Sequence, residues 1–277
     1  MSGRIVIAGA GGQLGGYLSA LAAGQGRDVV ALTSAQWDIT DPAAAEHIVR
    51  PGDVVINCAA YTDVDGAESD EAGAFAVNEA GPGHIALRAR RRPAAPRLHR
   101  LRVRRRVPGR CPGPAAPLAP QGVYARSKVA GERAVLAALP DPAQGVVVRT
   151  AWVYTGGTGK DFVAVMRRLA AGEGPVQVVD DQIGSPTYVG DLAAALLQIV
   201  DDRVPLHAAN EGAVSRFEQA RAVFEECGAD PARVRPVGTE HFPRPAPRPT
   251  YSALGSRESA PAKALAPCAC RRAHQRW

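Results

Sequence analysis

The stretch that most constrains this chain is its opening, "RIVIAGAGGQLGGYLSALAAG", residues 4–24. Ile5, Val6 and Ile7 make the short apolar run expected of a parallel strand covered on both faces. Gly9, Gly12 and Gly15 follow at once, and a helical pattern begins within the turn. Glycine at such positions lets the chain bend sharply, approach a pyrophosphate with its backbone and pack the helix on the strand. Backbone N–H groups and the positive end of the helix dipole then face the phosphates. These three glycines are candidate cofactor contacts, with a purely structural turn as the alternative.

The alternation continues. "DVVALT" (Asp28–Thr33) reads as a second strand and "DVVINCAA" as a third, with "DPAAAEHIV" between them as a helix capped by Asp41 and carrying Pro42 in first position. "DVDGAESDEAGAFAVNEAG" is a polar helical stretch expected to end near Gly81. Strands alternating with helices imply a parallel sheet with right-handed crossovers, a Rossmann-type doubly wound α/β fold. The pattern fails from about His84 to Pro117 and resumes at "GVYARSKVAGERAVLAAL", an amphipathic helix. "GVVVRTAWVY" reads as one buried strand, "DFVAVMRRLAAG" as a helix and "VQVV" as a short strand. "DQIGSPTYVGDLAAALLQIV" is a loop feeding a helix, and "SRFEQARAVFEECGA" is another helix. The expected organisation is a dinucleotide-binding domain over 1–150, a mixed region over 151–255 that completes the sheet and forms a small substrate lobe, and an irregular tail over 256–277.

Composition enters through one segment. Leu87–Arg110 holds eleven arginines, and without them the formal balance of +6 becomes −5. The run carries no aromatic residue, whereas nucleic-acid enzymes spread basic residues over a face interleaved with aromatics. Nucleic acid is therefore not the expected partner. No apolar run approaches the roughly 20 residues of a membrane span. The N-terminus lacks the layout of a signal peptide, so no membrane partner and a cytoplasmic location are expected. The five cysteines are an odd number for a disulfide framework, and Cys268, Cys270 and His274 match no strong zinc spacing, so no metal site is read from the residues.

Tyr124 and Lys128 stand four apart in "YARSK" on a helix, which places them on one face. An ammonium near a phenol favours the phenolate, and such a tyrosine can give a proton to a carbonyl oxygen while hydride reaches the carbon. The second strand ends in Leu32-Thr33-Ser34, without the carboxylate that would hold the ribose hydroxyls of NAD, which favours NADPH over NADH without excluding either. Asp38 and Ile39 in "WDITD" either flank the adenine or lead into the next helix, with Asp38 as its cap.

The motifs "GAGGQLG", "WDITD", "INCAAYTDVDGAE", "VNEAGP", "YARSKVAGE", "VVRTAWVY", "DDQIGSPTYVGDLA" and "RPAPRPTYSALGS" together resemble the dTDP-4-dehydrorhamnose reductase family of extended short-chain dehydrogenases/reductases. The resemblance implies NAD(P)H-dependent reduction of the C4 ketone of a dTDP-4-keto-6-deoxy sugar. It implies cofactor contacts at Gly12, Gln13, Leu14, Asp38, Ile39, Ala59, Ala60 and Tyr61, a proton donor in Tyr124 and a cofactor-anchoring Lys128. It places Trp152, Asp181, Gln182 and Pro186 on the substrate side. A homodimer, and Mg2+ at its interface, are implied for some members. A non-catalytic NADP-binding regulatory subunit on the same fold is the alternative.

The family pattern carries a strand ending in Ser-Thr-Asp-Tyr-Val-Phe-Asp-Gly between "VNEAGP" and "YARSK". The protein has "LHRLRVRR" at Leu98–Arg105 instead. One coding of these eight residues, CTC CAC CGA CTA CGT GTT CGA CGG, spells the missing eight when read one base later. Residues from about 87 to 116 are thus expected to be a frame-shifted stretch, and a central strand of the sheet to be replaced by a proline-broken arginine run.

Overall fold

The computed structural model describes residues 3–90, 120–141, 144–157, 159–202 and 206–254. The core of the arginine-rich run, the tail and the Cys268–His274 cluster lie outside the described residues, as does the expected loss of a central strand.

The opening folds as its pattern requires. Strand β1 (Ile5–Ala8) is fully buried and leads through the glycine turn into α1 (Gln13–Gly24). Strands β2 (Val29–Leu32) and β3 (Val54–Asn57) pair with β1 in parallel on either side, giving the order β2-β1-β3. Between them, α2 is short (Ala44–Ile48) and begins later than its cap suggests. Asp41 does accept the Ala43 amide at 2.8 Å, but Ala43 stands at the N-cap.

The polar stretch after β3 does not end at Gly81. Helix α3 (Glu71–Phe75) widens into one π-type turn (Ala76–Ala80) and continues as α4 (Gly81–Arg90). Pro82 has no N–H for the carbonyl four residues back, and the wider turn just before it lets the helix run on. Gly81 is required for another reason, because a Cβ there would meet Ile39 Cδ1 at 2.6 Å. The pattern expected to fail at His84 therefore holds to Arg90: Ile85, Ala86 and Ala89 recur at helical spacing and are buried.

Helix α5 (Gly122–Ala138) follows, then β4 (Val148–Arg149) and β5 (Val153–Tyr154). The single strand expected over "GVVVRTAWVY" is broken in two because Trp152 turns with φ 46°. The rest comprises α6 (Phe162–Ala170), β6 (Val176–Val179), β7 (Ile183–Gly184), β8 (Thr187–Tyr188), α7 (Val189–Asp202), β9 (Leu206–His207), β10 (Val214–Ser215), α8 (Arg216–Glu226) and β11 (Val234–Val237). Strand β4 pairs with β9 and β5 with β8, both in parallel.

Packing joins these pieces into layers. Ile5, Ile7, Ile56 and Val148 share one core cluster with Leu14 and Leu18 of α1 and Leu192, Leu196 and Leu197 of α7. Val6, Val55 and Val147 face the other way and join Ile85 and Ala89 of α4 with Val135 of α5. Residues of alternating parity thus feed helices on opposite sides, as a doubly wound sheet demands. Each large aliphatic side chain buried this way contributes roughly 1.5–3 kcal/mol relative to exposure. A third cluster, with Tyr154, Met166, Val178, Phe224 and Val234, is the core of a smaller lobe built from α6, α8 and the parallel pair β6–β11.

Candidate active site

The glycine turn has the geometry of a cradle. Gly9 has φ +77°, and a Cβ there would lie 2.5 Å from the Ala59 nitrogen. A Cβ on Gly15 would overlap the Gly9 carbonyl, so α1 seats against the turn only without a side chain. The turn closes through Gly12 N–H to the Gly9 carbonyl at 3.0 Å. The residues present thus suit a dinucleotide held against bare backbone beside Ala59. Leu14 lies in the core, so its backbone alone is available to a ligand. Gln13 reaches from the start of α1 to Asp161 at 3.5 Å, touching the loop that leads into the small lobe.

The remaining candidates of the cofactor side divide. Asp38 accepts both the Thr40 amide at 2.9 Å and its hydroxyl at 2.7 Å, and these bonds hold its carboxyl below the usual range. It caps a turn, while the side chain of Ile39 is buried in the core against Gly81. Ala59 is held by its amide, which donates to Asn57 Oδ1 at 3.0 Å, and Ala60 continues the same exposed-edged loop to Tyr61. The Tyr61 phenol is raised above its ordinary value by partial desolvation and by Asp70 and Asp63 nearby.

Tyr124 and Lys128 do share a face of α5: the Lys128 ammonium lies 5.7 Å from the centre of the Tyr124 ring, and Lys128 is buried. Three polar residues that the sequence reading passed over fix this pair. Asn78, fully buried in the π-type turn, accepts the Tyr61 amide at 3.1 Å and donates to the Tyr61 carbonyl at 3.1 Å. It also donates to Ser127 Oγ at 3.0 Å, whose hydroxyl donates to the Tyr124 carbonyl at 2.9 Å. Glu68 accepts the Val123 amide at 2.7 Å, supplying the N-terminus of α5 with a negative partner where the helix dipole favours one. Farther along, a buried ion pair between Glu132 and Arg149 ties the helix to β4.

On the other side, Trp152 packs against Gly184, where a Cβ would overlap its indole. The Arg216 guanidinium lies 3.6 Å over the indole ring. Asp181 accepts the amide and hydroxyl of Thr239 at 3.0 and 2.6 Å, and Gln182 donates to the same hydroxyl at 2.9 Å. Burial alone would raise the Asp181 carboxyl, but the bonds from Thr239 outweigh it and hold it low. These two side chains thus fasten the loop after β6 to the turn at Thr239. Pro186 is buried immediately before β8. The protein segment Arg244–Arg248 crosses to the loop after β3: Asp65 accepts Arg248 at 2.8 Å, Arg244 at 3.4 Å and the Ala246 amide at 3.2 Å. Pro247 then lies 3.4 Å from the Cβ position of Gly122, two residues before Tyr124. Among the described residues no group of three metal-ligating side chains forms, and no helix is long and apolar enough to cross a membrane.

A strand, glycine turn and helix at the start of a doubly wound sheet, with a later helix that sets a lysine against a tyrosine ring, are features of the short-chain dehydrogenase/reductase class, and the fold is of that class. Residues 3–276 match the family model described as the RmlD substrate binding domain. The chain is 68% identical over 266 residues to the dTDP-4-dehydrorhamnose reductase of Mycobacterium tuberculosis, covering 93% of this chain and 86% of that one. A crystal structure of a dTDP-4-dehydrorhamnose reductase from Clostridium acetobutylicum superposes with a TM-score of 0.84 at 33% identity, covering 91% of this chain and 90% of the other. The Bacillus anthracis enzyme of the same name, solved in complex with NADP, gives 0.83 at 32% identity, covering 92% and 91%. The protein belongs to the dTDP-4-dehydrorhamnose reductase family.

Proposed function

We propose that the protein reduces the C4 ketone of a dTDP-4-dehydro-6-deoxyhexose at the expense of NADPH or NADH. The observation that carries this reading is the Tyr124–Lys128 pair on α5, joined through Ser127 and Asn78 to the Ala59–Tyr61 loop that lines the side-chain-free turn at Gly9. The bound nicotinamide supplies the hydride.

Gly9, Gly12 and Gly15 leave the backbone open to the pyrophosphate, with Ala59, Ala60 and Tyr61 along the adjoining loop. Lys128 presents its ammonium to the face of α5 that carries Tyr124, where it holds the nicotinamide ribose and favours loss of the phenolic proton. Tyr124 Oη delivers that proton to the C4 oxygen as the carbonyl becomes an alcohol, so one proton and one hydride account for the two hydrogens gained. Trp152 offers its indole to the sugar or the base from the opposite wall, next to the loop of Asp181, Gln182 and Pro186.

NADPH is the favoured donor because β2 is followed by Thr33, whose amide and hydroxyl both donate to Gln36 Oε1 at 3.0 and 3.1 Å, and Leu32-Thr33-Ser34 offers no carboxylate for a ribose diol. The test is turnover of a dTDP-4-keto-6-deoxy sugar, followed by loss of NADPH absorbance in wild type and Tyr124→Phe. Loss of turnover with cofactor affinity retained supports the assignment; unchanged turnover in the variant refutes it.

A further inference from the structure

Arg216 is a cation for which the described residues supply no anion at ion-pair distance. Its guanidinium carbon lies 3.6 Å from the centre of the Trp152 ring and 4.6 Å from that of Phe162. Rings that close cover the planar faces of a guanidinium, so its N–H edge carries whatever polar bonding it has. One hydrogen bond meets that edge among the described residues, Nη1 to the neutral amide oxygen of Gln219 at 3.0 Å. A guanidinium has five N–H donors, and the others face away from Gln219.

The charges around it have the wrong balance for a structural arginine. Among the described residues Arg216 forms no ion pair, whereas Arg4, Arg126, Arg149, Arg244 and Arg248 each do. The side chain is half-buried; desolvation first and the charge of Arg248 second pull its pKa down to about 9, with Asp161 opposing the fall. Asp161 is already engaged, accepting Thr155 N, Thr155 Oγ1 and Ala164 N at 2.9, 2.7 and 3.1 Å. Arg248 is close enough to act on Arg216, and its own partner is Asp65 at 2.8 Å. Like charges brought together in partial burial are costly unless an anion joins them.

The position is equally specific. Arg216 covers the indole of Trp152, and Arg248 leads through Pro247 to Gly122 at the start of the Tyr124 helix. Phe162, the other ring on Arg216, adjoins Asp161, which accepts Gln13 of the start of α1 at 3.5 Å, so Arg216 stands where the small lobe meets the cofactor turn. A nucleotide-sugar whose sugar lies beside Trp152 brings its charged linker to this border. We propose that Arg216, packed against the rings of Trp152 and Phe162, binds the diphosphate of the nucleotide-sugar substrate through its N–H groups, with Arg248 as the neighbouring cation. The assignment rests on the substrate reading above. A planar fork suits two phosphate oxygens at once, which a lysine ammonium does not match. It makes the diphosphate, and not the sugar alone, a requirement for productive binding.

The test uses the full chain and two probes, dTDP and thymidine, titrated by calorimetry against wild type, Arg216→Gln and Arg216→Lys. Loss of a charge-assisted pair predicts that Arg216→Gln weakens dTDP about tenfold or more, with thymidine and NADPH affinities held within about twofold. Arg216→Lys falls between. The KM for the dTDP-keto sugar rises while kcat stays within about threefold. Equal weakening of dTDP and thymidine marks a collapsed pocket wall and overturns the assignment, as does a dTDP affinity unchanged in Arg216→Gln. Should the variants not fold, phenylglyoxal labelling of wild type decides it: dTDP must protect Arg216, and an Arg216 labelled equally with and without dTDP overturns the proposal. Wild type that binds NADPH but not dTDP removes the substrate reading itself, whereas wild type that binds dTDP with Arg216 indifferent removes only this inference.

Discussion

Asp65 and Arg248 meet at 2.8 Å although 183 positions separate them in the chain. Their bond joins the loop after β3 to the segment that runs past the N-terminus of α5. Both side chains are about one-quarter exposed, at 23% and 24%, so solvent screens the pair only in part. Burial alone would raise the Asp65 carboxyl, but the hydrogen bond from Arg248, the Ala246 amide and the charges of Arg248 and Arg244 together hold it below 3.8. A carboxyl lowered in the folded state stabilises the protein above its unfolded pKa and loses that contribution as pH falls through the folded value. Asp65→Asn should therefore cost about 1 kcal/mol at pH 7 and flatten the acid limb of stability below about pH 4. Urea denaturation of both proteins at pH 7 and pH 3 measures this; an equal loss at both values contradicts it.

Gly9→Ala tests the cradle. The substitution puts a side chain at φ +77° and against the Ala59 nitrogen. The backbone conformation alone costs about 1–2 kcal/mol, and the displaced turn should weaken NADPH binding about tenfold or more. Fluorescence titration of NADPH reads the effect directly, and an unchanged affinity would remove the turn from the cofactor site.

Asn78→Ala removes the bonds that join the Tyr61 loop to α5. It strands the Tyr61 amide and carbonyl and removes the donor to the Ser127 hydroxyl, for a loss of about 2–3 kcal/mol. Because Ser127 in turn bonds the Tyr124 carbonyl, kcat should fall more than KM changes, with NADPH affinity largely retained. Thermal unfolding and steady-state rates with a dTDP-4-keto sugar separate the two effects.

The arginine-rich stretch makes a prediction at the level of the gene. Read one base later between codons 87 and 116, it should encode Ser-Thr-Asp-Tyr-Val-Phe-Asp-Gly where Leu98–Arg105 now stands. A chain expressed from that reading should be more stable and turn over substrate faster than the chain as it stands. Nucleotide sequencing across codons 80–120 checks the first part, and side-by-side thermal melts and assays check the second.

Much of the architecture was legible because periodicity reports burial. Ile5–Ile7 and Val55–Asn57 sit in covered parallel strands, and such strands announce themselves as apolar runs, as does the half-covered Val29–Leu32 beside them. Tyr124 and Lys128 were legible because a helix fixes what four residues of spacing means. The helix through Gly81 was not, since glycine and proline together normally mark an end; here Ile39 demands the glycine and a π-type turn absorbs the proline. Asn78, Asp65 and Glu68 were illegible as well. A polar residue becomes a fastener only through a partner 49, 183 or 55 positions away, and no local pattern records that distance.

Trp152 shows how closely one position can be written. Its left-handed backbone stops β4 from running on and sends Val153 and Tyr154 to pair with Thr187 and Tyr188 instead of extending beside β9. The indole proposed to meet the sugar is thus carried by the very bend that routes the chain out of one strand pair and into another. Exchanging the ring for a residue that prefers an extended backbone would alter the path of the polypeptide along with its chemistry, so substrate preference at this point cannot be tuned independently of the architecture.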